Sequence, residues 1–291
     1  MLRREFRAMG TDVELLLVPA VDADEAEEAL AGAEREIARI EDVASRFRED
    51  SELSRLNAAG TLEVSPDLMR IVTLALAMRD ATGGRFDPTV HAAMIAAGYD
   101  RTLADIPADG PDAGAPQPGG GEVVADPGTG RITLGAGVAL DLGGIAKGWA
   151  ADRAADILGM AGSCLVSMGG DIAVRGSLDG EPWPIEVEHG GDTATIGLTR
   201  GGMATSGTDR RRWRRGGEQM HHVIDPVTGR PSTTDLVRVT AIAEDAAHAE
   251  VWATALLVSG ASAATEEADR MGMPTVLVGC DGHTTSAGGL V

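Results

Sequence analysis

The spacing of apolar and polar positions changes along the chain, and the changes mark out its elements. Val13, Leu15 and Leu17 fall on every second residue, which predicts a strand over residues 12–18 with one buried face. Over residues 25–47 the step becomes three and four, through Leu30, Ala33, Ile37, Ile40, Ala44 and Phe47, the stripe of an amphipathic helix. A second helix starts at Ser65-Pro66-Asp67, where a capping hydroxyl, a first-turn proline and an early acid coincide. It turns Leu68, Ile71, Val72, Leu74 and Met78 inward and stops at Gly83-Gly84. Residues 104–121 then lose all apolar period. Their proline and glycine content predicts a mobile loop within a single domain spanning residues 1–291.

After the loop, short apolar runs predict strands at 132–134, 138–142, 165–168 and 172–174, the last two around Gly169-Gly170-Asp171. A helix is predicted between them over 145–158, ended by Gly159. Further strands are expected near 184–188, 194–199, 221–225 and 236–243. Helices follow at 246–258 and 262–271, and a last strand at 275–278. Strands cluster and mix with helices without β-α alternation, so the fold class is α+β.

Composition narrows the function. Aromatic residues are only 3% of the chain, so Ala, Leu, Val and Ile must build the core. A net charge of −20 argues against nucleic-acid binding and against adhesion to anionic lipid. A phosphorylated ligand would need a divalent cation or a local basic cluster. Cys164 and Cys280 are the only two cysteines and show no zinc spacing; sequence does not assign their pairing. No run approaches a membrane span, and Arg3-Arg4 leads into no apolar leader segment. The expectation is a cytoplasmic protein as the chain stands, or an extracytoplasmic one if a leader has been removed.

Four stretches carry candidate chemistry. Lys147 is the single lysine against 24 arginines, and it follows Gly143-Gly144 at a helix start. A compact ammonium beside free helix N–H groups suits an anion; a solvated helix lysine is the equal alternative. His221-His222 lead into the turn Asp225-Pro226-Val227-Thr228-Gly229, where a histidine can move protons or simply be satisfied in a strand. Glu250 and Thr254 share a helix face, either an ordinary surface pair or two oxygen donors suited to Mg²⁺. Arg210-Arg211-Arg212-Trp213-Arg214-Arg215 reads as a solvated hairpin or a docking surface for an acidic partner.

Read in order, these stretches resemble the flavin transferase (ApbE) family. The resemblance also rests on Met9-Gly10-Thr11, Ser45-Arg46-Phe47, Ser51 through Asn57, Gly84 through Val90, Asp141 through Asp152, Val166 through Asp171, Thr205-Ser206-Gly207 and Ala249 through Leu257. It implies a two-lobed fold of largely antiparallel sheets and packed helices, with the site in a central cleft. It implies a Mg²⁺-dependent FAD:protein FMN transferase, which cleaves FAD, joins FMN by a phosphoester to Thr or Ser of a target flavoprotein such as a membrane redox subunit, and releases AMP. By that resemblance, FAD contacts fall on Met9, Phe47, Ala97, Gly98, Tyr99, Asp141, Lys147 and Ile224. Metal ligands fall on the Gly144 carbonyl, Glu250 and Thr254, and proton transfer on His222. Glu250 stands where relatives carry aspartate, one methylene shorter. Water as acceptor would make the same site a FAD pyrophosphatase, and weakened metal binding would leave a FAD-binding protein.

Overall fold

Eight strands form one sheet in the order in which the chain makes them, and every neighbouring pair is antiparallel. They are β1 Leu2–Ala8, β2 Thr11–Pro19, β3 Gly162–Met168, β4 Asp171–Arg175, β5 Arg200–Gly207, β6 Leu236–Ala243, β7 Thr275–Gly279 and β8 Thr284–Ala287. The computed structural model describes residues 1–189 and 192–290. The helices are α1 Ala23–Ala44, α2 Glu52–Ala59, α3 Pro66–Ala81, α4 His91–Ala96, α5 Ala146–Gly159, α6 Ala246–Ser259 and α7 Ala261–Met271. The fold is α+β with largely antiparallel sheets.

The sheet is covered on both faces. Val13, Leu15 and Leu17 of β2 face the main core, which they share with Leu30, Ile37 and Ile40 of α1 and Leu158 of α5. Leu16 and Val18 of the same strand face the other way, against Trp183, Ile185 and Val187 of the hairpin Trp183–His189/Asp192–Leu198. A third, smaller cluster gathers Ala93, Met94, Ala97, Tyr99, Trp213, Met220 and Ile224.

Glycines decide how close the helices come. A Cβ on Gly148 would lie 2.4 Å from the Ala246 carbonyl oxygen, and one on Gly202 would lie 2.1 Å from the Ala246 nitrogen. The start of α6 therefore presses on α5 and β5 at once. Each helix also satisfies the other's terminus. Asp152 of α5 accepts from Ala246 N and Ala247 N, both at 3.0 Å, while Glu250 of α6 accepts from Gly148 N at 2.9 Å. Asp245 caps His248 N, and its carbonyl takes Ala249 N, so the first four donors of α6 all have partners.

Three expected elements differ. The helix over 25–47 ends at Ala44, because Ser45 turns extended and its carbonyl accepts from Ser51 Oγ at 2.5 Å. Residues 138–142 form no strand. The Asn57 amide takes the place of a strand neighbour, receiving Leu140 N and donating to Leu140 O, and Asp141 N bonds Pro88 O. The strand near 221–225 is broken into Glu218–His221 and Ile224–Asp225, with Val223 N turned onto His221 Nδ1. Sequence periodicity also passes over β1, whose Arg3, Glu5 and Arg7 make it a charged edge, and β5, whose glycines mask it. The 104–121 segment is tied down at several points: Gly114 N to Ala96 O, Gly119 N to Pro226 O, Gly120 N to Asp87 and Gly121 N to Thr89.

Candidate active site

Lys147 stands in the first turn of α5, and its ammonium is held from two sides. Asp171 Oδ2 lies 2.6 Å away, and Glu250 Oε1 pairs with it from α6. Both carboxylates are buried, 3% exposed each. Burial works against the lysine's charge, but Asp171 and Glu250 outweigh it and hold its pKa above the usual value. Burial, with Asp171 alongside, pushes the Glu250 carboxyl up to about 7. Glu250 uses its full length here, since Oε2 reaches the Gly148 N–H as well.

One turn further along α6, Thr254 Oγ1 lies 2.7 Å from Ser206 Oγ of β5. Gly144 precedes α5 in a turn, and a Cβ there would touch the Phe86 ring at 3.2 Å. His222 sits in the break between the two short strands, its Nδ1 buried without a partner. Burial lowers its pKa well below the ordinary histidine value, and the positive charges of Arg211, His221 and Lys147 push the same way. The imidazole is neutral at pH 7. His221 is committed elsewhere, through Nε2 to the Ser232 carbonyl at 3.0 Å.

A second group forms an aromatic corner. The Arg46 guanidinium lies 4.1 Å from the Phe47 ring centre and 4.5 Å from that of Tyr99. It pairs with Asp141 at 2.8 Å and donates to the Tyr99 carbonyl at 2.7 Å. Asp141 also accepts from Gly143 N at 2.7 Å, so it organises the turn before α5. Tyr99 stacks on Trp213 at 5.2 Å, and Trp213 Nε1 donates to Ala97 O at 2.7 Å. Ile224 packs in this cluster. Gly98 admits Arg215 against its backbone, where a Cβ would meet Arg215 Nε at 1.9 Å.

Of the residues singled out in the sequence, Lys147 and Glu250 are in contact, Thr254 lies one turn from Glu250 on α6, and His222 feels the lysine's charge. Ala97, Tyr99, Ile224 and Phe47 gather at the aromatic corner with Asp141. Met9 stands in the β1–β2 turn, with φ of 51°, and packs against the main core. That turn touches the one between β3 and β4, where a Cβ on Gly169 would meet Thr11 Oγ1 at 2.1 Å. A depression of about 520 Å³ lined by Glu5, Phe6, Arg7, Val13 and Gly169 opens nearby but includes neither Lys147 nor Glu250. Sequence reading missed roles for Asp171, Arg46, Ser206, Trp213 and Asp152. Asp171, Arg46, Ser206 and Asp152 lie within matched segments, and Trp213 in the arginine run, but no local spacing shows what each touches. Glu244, Asp245 and His248 also bring three ligand-type atoms together, at the α6 cap.

A part-buried ammonium held by two buried carboxylates, a neutral histidine and an aromatic corner are the chemically distinctive features of this region. The chain matches the ApbE family over residues 9–277 and belongs to it. A Salmonella typhimurium protein named FAD:protein FMN transferase is 31% identical, over 96% of this chain and 84% of its own. The ApbE protein of Thermotoga maritima superposes with a TM-score of 0.86 at 28% identity, covering 98% of this chain and 96% of its own. The Pseudomonas stutzeri flavinyl transferase ApbE, in its apo form, superposes at 0.82 and 25% identity, with 98% and 95% covered. The protein is a transferase enzyme.

Proposed function

We propose that this chain is a Mg²⁺-dependent FAD:protein FMN transferase. It would cleave the FAD pyrophosphate, form a phosphoester between FMN and a Thr or Ser hydroxyl of an acceptor protein, and release AMP. The observation that carries the reading is the Lys147 ammonium between two buried carboxylates, next to a neutral histidine. Two carboxylates outnumber one ammonium, and the interior tolerates excess negative charge poorly. The donors facing that excess are hard oxygens, which suit Mg²⁺. Glu250, Thr254 and the Gly144 carbonyl would hold the ion. When bound, it supplies neutralisation of charge on the pyrophosphate. This also lets a protein of net charge −20 accept a polyanion.

The chain's own groups do the rest. Lys147 offers its ammonium hydrogens to phosphate oxygens. Tyr99, Phe47, Ala97 and Ile224 offer a surface for a planar ring, with Gly98 in the turn between Ala97 and Tyr99 and Met9 in the β1–β2 turn. His222, whose Nδ1 is buried without a hydrogen-bond partner, would take the proton of the attacking hydroxyl. The new bond joins that oxygen to the FMN phosphorus, and the bond to the AMP oxygen breaks. The acceptor is a flavoprotein, and a redox subunit at a membrane fits. No helix among the described residues is long and apolar enough to cross a membrane itself.

The test is incubation with FAD, Mg²⁺ and a peptide carrying Asp-x-x-Ser/Thr-Gly-Ala-Ser/Thr, the acceptor motif that the family resemblance implies, read by intact mass and AMP release. The expected result is one FMN added per peptide and none with EDTA. AMP without a peptide adduct would instead assign the hydrolytic reaction. FAD binding with no AMP at any Mg²⁺ concentration would assign a binding protein.

A further inference from the structure

Lys147, Asp171 and Glu250 hold one carboxylate more than a tethered lysine requires. Glu250 alone would neutralise Lys147, and it is fixed in place by Gly148 N. Asp171 adds a second carboxylate to the same ammonium, 2.6 Å from Lys147 Nζ. Asp171 is the first residue of β4, directly after Gly169-Gly170, whose φ angles of 65° and 105° form the tight turn. It shares the buried face of β4 with Ala173, toward α5 and α6. Its side chain makes one hydrogen bond, to Lys147 Nζ. The pressing of Gly169 on Thr11 sets where the strand begins, and so where this carboxylate stands.

We infer that Asp171 is a positioning residue that keeps the Lys147 ammonium in place when Glu250 is given over to the divalent cation. The inference rests on the FAD and Mg²⁺ reading above. Without Asp171, the ammonium and the metal ion would compete for one carboxylate. With it, the lysine keeps a partner on the sheet side while its remaining hydrogens face the phosphates. Asp171 touches no reacting atom in this account and acts through Lys147.

A double-mutant cycle tests it, with FAD affinity measured by fluorescence at saturating Mg²⁺ in the absence of acceptor, and Mg²⁺ affinity by calorimetry on the full chain. Asp171→Asn should weaken FAD binding on the order of ten-fold, the range of a charged hydrogen bond. It should also weaken Mg²⁺ binding, because the ammonium then leans on Glu250 alone. In a Lys147→Ala background the same change should cause no further loss of FAD affinity. An equal loss in both backgrounds overturns the inference, as does a lowered Tm with FAD and Mg²⁺ affinities unchanged. If Asp171→Asn does not fold, Asp171→Glu carries the test. It keeps the charge and should hold FAD affinity within a few-fold, and a loss as large as that of Lys147→Ala overturns the idea. If Lys147→Ala itself leaves FAD affinity unchanged, the lysine's part in the FAD reading fails rather than that of Asp171 alone.

Discussion

At the residue scale, Lys147, Glu250 and His222 each have a structural partner as well as a proposed chemical role, and the two can be separated by choice of substitution. Lys147→Ala removes the ammonium and leaves two buried carboxylates facing the phosphates. FAD binding should weaken by roughly 1.5–3 kcal/mol, measured by titration, while the fold persists. Glu250→Gln keeps an oxygen for Gly148 N and so keeps the helix contact. It loses the charge that a divalent cation needs, so metal-dependent AMP release should disappear while Tm changes little. Unaltered AMP release in this variant at saturating Mg²⁺ would remove Glu250 from the metal site. His222→Ala should lower turnover by about 10²–10⁴ with FAD still bound. Loss of folding together with FAD binding would make His222 structural instead.

At the scale of elements, the site depends on how α5 and α6 cross. Lys147 and Glu250 meet because Gly148 has no side chain and because each helix end is capped by a carboxylate of the other. Gly148→Ala would force a Cβ onto the backbone of Ala246 and Ala247. It should cost about 1–3 kcal/mol in chemical denaturation, the usual penalty of overpacking. Asp152→Ala would strip two N–H groups of α6 of their acceptor, a loss of about 1–2 kcal/mol typical of a lost cap. Both changes should weaken FAD binding beyond their effect on stability, since both move Glu250 relative to Lys147. If activity per folded molecule is unchanged in both, the crossing does not set the site geometry.

At the scale of the whole molecule, pH couples to stability through the buried histidines. Burial lowers the pKa of His222, His221 and His91 in the folded state. A group with a depressed folded pKa stabilises the fold above its unfolded value, about 6.5 for histidine. That stability is lost as pH falls, because the unfolded chain then binds the proton more readily. The contribution of these histidines to the unfolding free energy should therefore decline below pH 6.5, by up to roughly 1.4 kcal/mol per pH unit each, against an opposite contribution from Glu250, Asp152 and His248, whose folded pKa values are raised. His222→Asn should make the decline shallower than in the parent chain, in urea denaturation at pH 7.5 and 5.5. An identical slope in both would mean that His222 charges freely in the folded state.

The sequence by itself determined the elements with a clear period, such as the strand containing Val13 and Leu17 and the helices α3, α5 and α6, because burial of one face imposes a step of two or of three to four. It also picked out Lys147, by its rarity, and the pair Glu250 and Thr254, by their helical spacing. Only the tertiary structure decided what these residues touch. That Lys147 meets Asp171 and Glu250, from a strand and a helix 24 and 103 residues away, follows from close packing at Gly148 and Gly202. That residues 138–142 are not a strand follows from one distant side chain, Asn57, which satisfies their backbone. Local pattern reports which face is buried. The partner on that face is set by contacts between distant segments, and those carry no period along the chain.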